Sequence, residues 1–371
     1  MNDRIDGRER LTNLSFIVGT RPEIIKMAPI MKEADSRRLA YSVIHTGQHY
    51  SPGMSDVFFE QLGLREPDYN LNIGSGTHAE ETGRMLIALE RILARTRPSV
   101  VLVEGDTNSV LAGGLAARKL NIPVGHVEAG LRSRDSTMPE ETNRILTDHL
   151  SEYLFAPTRT ARSNLISEGI PAKSVWVTGN TIVDSLTECV DLAKRATRLP
   201  DGMQDGGYLL LTLHRQENVD AKERLERILR GLEMVHEKTG LTIVWPIHPR
   251  SKRGLARGHF RPGKGLKLLN PQDYFSFLRL LMGARLVFTD SGGVQEEACV
   301  LKVPCVTLRD NTERPETLRV GSNVLAGSDP GTILEKAMIM LSRERRWRNP
   351  FGDGHASARI LDVIGDGRRF G

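Results

Sequence analysis

The sequence predicts an α/β protein built from two doubly wound domains that face each other across a cleft. Three observations carry this prediction. Short β-branched runs alternate with helical stretches almost to the end of the chain. The alternation pauses once, at Gly179 to Asp205, where Arg198 to Gly207 is rich in Gly and Asp and reads as a linker. The chain has 371 residues, which suits two domains, or three, at about 150 residues each.

In chain order, Leu14 to Val18 reads as a strand, followed by Gly19-Thr20-Arg21-Pro22-Glu23. Pro22 sits where a first-turn proline belongs, and Ile24 to Ala34 reads as a helix. Val100 to Val103 is a buried strand, Thr107 to Leu120 an Ala-rich helix, and Ile122 to Val127 the next strand. This strand-helix-strand spacing implies a parallel sheet covered on both faces. After the linker, Tyr208 to Leu213, Thr242 to Pro246, Leu286 to Thr289 and Cys305 to Leu308 read as strands with helices between them. In such sheets ligands bind at the carboxyl ends of the strands, so chemistry-bearing residues are sought there.

Composition narrows the class. Apolar residues make up 39%, charged residues 26% and aromatics 5%, as in ordinary globular proteins. Lys plus Arg (51) exceed Asp plus Glu (46) by only 5, too thin an excess for a dedicated nucleic-acid binder, though compatible with a local basic pocket. Cys189, Cys299 and Cys305 form no CxxC pair; neither a disulfide framework nor a Cys-type metal site is expected, and a reducing cytoplasm fits. The first ten residues are charged and no run of 18 apolar residues occurs, so neither a signal peptide nor a membrane span is expected. The histidines are scattered over different elements, and no metal is expected. No GxGxxG opens the first strand-helix turn, against a dinucleotide cofactor. No GxSxG elbow occurs, against a serine hydrolase.

Four groups of residues stand at strand ends. Asp290-Ser291-Gly292-Gly293-Val294-Gln295-Glu296-Glu297 follows a strand and opens a helix. It is either a phosphate cradle of backbone N–H groups, with Glu297 reaching a ribose diol, or a plain capped turn. Arg21 and Lys26 place two cations near a helix N-terminus, which opposes the dipole unless an anion binds; a diphosphate would resolve that conflict, and the alternative is a solvated pair. Asp106 and Glu128 end adjacent strands, and Glu140 opens a helix in Met138-Pro-Glu-Glu-Thr-Asn-Arg144. Crowded carboxylates raise one another's pKa and become acids or bases near neutrality, whereas singly each suits a cap or an ion pair. Finally, His214-Arg215, His248-Pro249-Arg250 and Thr312-Glu-Arg-Pro-Glu316 follow strands of the second half, placing His214, His248 and Arg314 on one rim.

Together the motifs GTRPEIIKMAPI, HTGQHY, GDTNSVLAG, HVEAGLRS, PEETNR, TGNTIVDSL, LTLHRQEN, HPR, TDSGGVQEEA and TERPET, in this order from Ser15 to Gly327, resemble the non-hydrolysing UDP-N-acetylglucosamine 2-epimerase family. The resemblance implies the GT-B fold. A Rossmann-like domain at 1–179 would carry the catalytic carboxylates and one at 180–351 would bind UDP. A helix within 352–371, at Ala356 to Ile364, would pack back on the first. It implies a cytoplasmic homodimer with a UDP-sugar substrate, serving polysaccharide biosynthesis without a cofactor.

The family inverts C2 by eliminating UDP across C1–C2 to 2-acetamidoglucal and adding it back with protonation of the opposite face. The resemblance then implies that Asp106, Glu128 and Glu140 are the acidic catalytic set and that His214 meets the departing phosphate oxygen. Arg21, Lys26, Ser291, Gly292 and Gly293 would hold the phosphates, Glu297 the ribose and Phe277 the uracil, with Arg144, His248 and Arg314 lining the same cleft. Gln48-His49 matches a second-substrate site of bacterial members, but the further Gln that accompanies it is replaced here by Ser51. The stretch HTGQHYSPGMSDVFFEQLGL is also similar to relatives acting on UDP-2,3-diacetamido-2,3-dideoxyglucuronate. Beside these stand a hydrolysing epimerase, a GT-B glycosyltransferase and a non-enzymatic UDP-sugar sensor.

Overall fold

The computed structural model describes residues 13–47, 54–258, 260 and 263–366, with backbone alone at 54–57. The chain divides into two compact units, one of 1–185 with 351–371 and the other of 186–350.

The first unit contains strands β1 (Leu14–Val18), β2 (Tyr41–His45), β3 (Tyr69–Asn70), β4 (Val100–Glu104), β5 (Val124–Val127), β6 (Tyr153–Ala156) and β7 (Val175–Val177). Its helices are α1 (Arg21–Ser36), α2 (Met54–Gln61), α3 (His78–Thr96), α4 (Asn108–Lys119), α5 (Pro139–Leu150), α6 (Arg159–Ser167) and α7 (Thr181–Ala196), the last continuing into the second unit. The second unit contains β8 (Tyr208–Thr212), α8 (Gln216–Val219), α9 (Lys222–Thr239), β9 (Thr242–Pro246), α10 (Pro249–Gly258), β10 (Leu266–Leu269), α11 (Tyr274–Gly283), β11 (Val287–Thr289), α12 (Gly292–Val300), β12 (Cys305–Thr307), α13 (Pro315–Arg319), β13 (Asn323–Leu325) and α14 (Pro330–Leu341). Helix α15 (Ala356–Gly365) lies in the first unit against α1, where Arg37 Nη1 donates to Asp362 Oδ1 at 2.6 Å.

Both sheets are parallel, with strand orders β3-β2-β1-β4-β5-β6-β7 and β10-β9-β8-β11-β12-β13. The sequence pattern follows from this. Leu209 and Leu211 of β8 enter one core while Tyr208 and Leu210 enter the other, so both faces of the strand are covered. In each sheet the order reverses once, between β1 and β4 and between β8 and β11. These reversals open the crevice where doubly wound folds take ligands.

Most strand and helix ends fall within two residues of expectation, and three differences have clear physical reasons. The helix expected from Ile24 starts at Arg21, because Pro22 fills the first turn, whose N–H needs no intrahelical acceptor. The strand expected from Ile122 starts at Val124, since Pro123 has no N–H for the ladder. Most of the expected pause is helix α7: Ile182, Leu186, Cys189 and Ala193 recur at helical spacing and are all buried.

Candidate active site

At the reversal of the first unit's sheet, β1 hands over to α1 through Gly19-Thr20. A Cβ on Gly19 would stand 2.1 Å from Ser109 Oγ and 2.4 Å from Thr46 Oγ1, so only glycine fits this approach. Glu23, in the first turn of α1, closes the loop by accepting from Gly19 N–H at 2.6 Å and Thr20 Oγ1 at 2.9 Å. Burial pushes its carboxyl up to about 7, against the pull of its hydrogen-bond donors. Arg21 is exposed, with its guanidinium 6.0 Å from the Phe58 ring centre.

Lys26, expected among the phosphate-holding cations, faces elsewhere. It is buried, its Nζ hydrogen-bonds Glu128 Oε2, and Glu104 Oε1 lies 3.3 Å away. The adverse placement of a cation near a helix N-terminus is thus offset by protein carboxylates. Glu128 directly follows Val127 of β5, the register partner of Glu104 on β4, and accepts a further bond from Asn180 Nδ2 at 3.0 Å. Its backbone is left-handed, φ 68°, a conformation costing a non-glycine residue about 1–3 kcal/mol and one that clusters at functional sites. The strand end therefore aims this carboxylate with some strain.

The crowding of carboxylates is real, though its membership differs from the expected trio. Glu23, Glu104 and Glu128 are buried on the elements around Lys26. Burial holds the Glu104 carboxyl well above the usual carboxylate range, opposed by Lys26 and reinforced by Glu128, Glu23 and Asp106. Asp106 instead pairs with Arg144, whose Nη1 also donates to Glu141 Oε2 at 2.6 Å. Asn143 Nδ2 donates to the Asp106 carbonyl at 3.0 Å, tying the turn after β4 to α5. Glu141 is buried and accepts from Ser133 and Arg134, whereas its neighbour Glu140 is half-exposed and its side chain bonds no described residue.

In the second unit, the reversal between β8 and β11 brings His214 beside Asp290. The Asp290 carboxylate is buried, lies 3.3 Å from His214 Nδ1, and accepts from the N–H of His214 and Arg215 and from Asn218 Nδ2. His248, from the adjacent β9, stands with its ring centre 5.8 Å from that of His214. Ser291 caps α12 by accepting from Val294 N–H, leaving the first N–H groups of the helix, on Gly292 and Gly293, without intrahelical acceptors. A Cβ on Gly292 would lie 3.2 Å from Arg314 Cζ, so the guanidinium packs on this loop. Arg314 Nε is ion-paired with buried Glu296 at 2.8 Å. Glu297 is buried and accepts from Tyr274 Oη at 3.1 Å; burial, then the nearby Glu297, push that phenol well above its usual range. Phe277 is partly buried in the same helix, α11, as Tyr274.

Gln48 and His49 lie outside the described residues. Among the described residues no group of three His, Cys, Asp or Glu side chains is arranged to hold a metal, and no helix is long and apolar enough to cross a membrane. All three cysteines are buried, and burial pushes the thiols of Cys299 and Cys305 up to about 11 and about 12, which removes both as thiolate nucleophiles at neutral pH. Glu23, Glu104, Asn180 and Asp290 were not singled out in the sequence. The available signals were an acid directly ending the buried run VVLV for Glu104, and an acid directly ending a strand for Asp290.

Comparison with known proteins gives the family and the fold. The profile of the UDP-N-acetylglucosamine 2-epimerase family matches residues 32–365. A UDP-N-acetylglucosamine 2-epimerase of Methanocaldococcus jannaschii is 50% identical over 363 residues, 96% of this chain and 99% of that one. Its crystal structure in complex with UDP-GlcNAc and UDP superposes with a TM-score of 0.90, covering 95% of this chain and 99% of that chain. A UDP-2,3-diacetamido-2,3-dideoxy-D-glucuronate 2-epimerase of Pseudomonas aeruginosa is 43% identical, over 94% of this chain and 98% of its own length. The calicheamicin glycosyltransferase CalG4 shares the fold alone, with a TM-score of 0.53 at 14% identity and coverage of 97% and 99%. Two parallel sheets of this topology, the acids that end the strands of the first and a match over nearly the whole chain lead to one conclusion: this chain belongs to the UDP-N-acetylglucosamine 2-epimerase family.

Proposed function

We propose that this protein is an isomerase that interconverts UDP-N-acetylglucosamine and UDP-N-acetylmannosamine. The observation that carries the reading is the 50% identity, end to end, with an enzyme named for that reaction. The C2 proton is too weakly acidic for direct exchange. Removing it while the C1–O bond breaks places the C2–H electron pair in a C1=C2 double bond, and UDP departs with the C1–O pair. UDP then adds back to C1 of the 2-acetamidoglucal as C2 takes a proton on the opposite face. This needs proton-handling groups on two faces and a grip on the diphosphate.

Asp106, Glu128 and Glu140 serve as the acidic set, and His214 assists departure of the phosphate oxygen. The Ser291-Gly292-Gly293 loop holds phosphate with Arg21, Glu297 meets the ribose, and Phe277 lies against uracil. Arg144 supports Asp106, and His248 and Arg314 support the phosphate side. Lys26 is reassigned from phosphate to Glu128. Gln48 and His49 remain candidates for a second-substrate site. The division of roles follows the regions 1–179, with the returning segment 352–371, and 180–351. As in the family resemblance, the protein works as a cytoplasmic homodimer and supplies polysaccharide assembly.

Turnover on a panel of UDP sugars tests this reading. UDP-N-acetylglucosamine giving a stable mixture of two nucleotide sugars supports it. Turnover of the 2,3-diacetamido-glucuronate nucleotide alone would move the chain to the reading favoured by the Pseudomonas aeruginosa relative. Light scattering of the purified chain tests the dimer, and a monomer at working concentration would remove it.

A further inference from the structure

His126 is a fully buried histidine that none of the roles above uses. It lies on β5, two residues before Glu128, with Val103 of β4 as its register partner. Its two ring nitrogens reach different elements. Nδ1 meets Asp148 Oδ1 of α5 at 2.7 Å, and Nε2 meets the carbonyl oxygen of Gly105 at 2.8 Å. A carbonyl oxygen only accepts, so Nε2 carries the hydrogen of that bond. The ring is also held from behind. Asp148 is buried, pairs with Arg132 Nη2 at 2.7 Å and accepts from the Gly130 N–H at 3.2 Å. Arg132 is fixed in turn by two bonds to the Glu168 carboxylate, at 2.8 Å from Nε and 2.6 Å from Nη2. Gly105 stands between β4 and Asp106 with φ 84°, a conformation that glycine enters freely and leaves freely. Its N–H donates to the Val127 carbonyl at 3.2 Å, so β5 holds both polar groups of this one residue. On the far side, the Asp106 carbonyl accepts from Asn143 Nδ2 at 3.0 Å. The two peptide groups that flank the Asp106 Cα are thus each fixed by a side chain.

We propose that His126 is a positioning residue for Asp106: its Nε2–H fixes the Gly105 carbonyl, and with it the peptide that sets the direction of the Asp106 side chain. Gly105 has no side chain to restrain that peptide, and its rotation would swing the Asp106 carboxylate away from the reacting sugar. A misplacement of about 1 Å in a reacting group costs about 10²-fold in rate. The chain from Glu168 through Arg132 and Asp148 holds the imidazole against this turn. Buried ion pairs add little net stability over apolar side chains of similar volume, so aiming the turn is the service that the chain renders. The inference rests on the reading that Asp106 belongs to the acidic catalytic set.

The test compares His126→Gln with His126→Met in kcat and KM for UDP-N-acetylglucosamine. The two side chains have similar length, but only Gln carries an N–H that can stand in the place of Nε2–H. His126→Gln is expected to turn over at least about tenfold faster than His126→Met, with KM within about threefold of wild type in both. A smaller difference in kcat would overturn the proposal, leaving His126 a packing residue. A difference confined to KM would also overturn it, because the contact would then serve binding. Should either variant fail to fold, Asp148→Asn replaces the pair, since it keeps the shape behind the ring and loosens its hold. A kcat at least about threefold below wild type at constant KM then supports the proposal, and a kcat nearer to wild type overturns it. Asp106→Asn, assayed in parallel, separates the two levels: wild-type turnover there would remove the reading beneath the proposal, whatever His126 does.

Discussion

The Nδ1 of His214 lies 3.3 Å from the carboxylate of Asp290, which the N–H groups of His214 and Arg215 hold from the same side. An anion fixed by backbone donors in a buried position favours a proton on Nδ1 and so leaves Nε2 as the nitrogen that meets a ligand. Asp290→Asn keeps the shape but weakens that preference. We expect kcat to fall by about 10–10²-fold with KM changed less than about threefold. His214→Ala should slow glucal formation at least as much. Equal kcat in wild type and Asp290→Asn would show that the contact does not serve turnover.

Asp106→Asn, Glu128→Gln and Glu140→Gln are each expected to lose at least about 10²-fold in turnover, the low end for a general acid or base. Calorimetric affinity for UDP should change much less, because the phosphate loop is intact in all three. Glu140 is the most informative of them, since its side chain makes no hydrogen bond or ion pair with a described residue. A wild-type rate in that variant would remove Glu140 from the acidic set without touching the other two.

Glu23 gives a pH dependence of stability with a definite sign. Its carboxyl rises from 4.5 to about 7 on folding, so the folded chain binds its proton more tightly than the unfolded chain. The resulting stabilisation is fully present below 4.5 and is lost as pH rises through about 7. In thermal melts the wild type should lose Tm relative to Glu23→Gln across that window. A constant difference between the two would contradict the burial of a titrating Glu23.

Gly19→Ala forces a Cβ into Ser109 and Thr46 and should destabilise the first unit by about 1–3 kcal/mol. Denaturant unfolding measures this directly. An unchanged midpoint would mean that the β1–α1 loop has room the structure does not show.

Much of this was legible before any coordinates. Alternating apolar runs and turn residues located the strands, because buried parallel strands demand such runs. Strand-end position then pointed to Asp106, Glu128, His214 and Ser291. What stayed hidden was pairing. Nothing in GTRPEIIKMAPI tells whether Lys26 points to a ligand or to Glu128, 102 residues away, since that depends on β4 and then β5 lying next to β1 in the sheet. The same holds for Glu104, which reads as one more strand terminus until Lys26 stands next to it. Helix α7 is hard to see in the sequence because Asp184 and Ser185 stand among its buried positions; they are buried against partners distant in sequence.

The central claim is that C2 is deprotonated and reprotonated on an intact nucleotide-sugar cycle. The most direct measurement is proton NMR with mass spectrometry of UDP-N-acetylglucosamine incubated with the purified protein in D2O, without any acceptor. The account predicts two nucleotide sugars at constant total concentration, each carrying deuterium at C2. Free UDP accumulating together with free N-acetylmannosamine, or an epimer formed with no deuterium at C2, would contradict it.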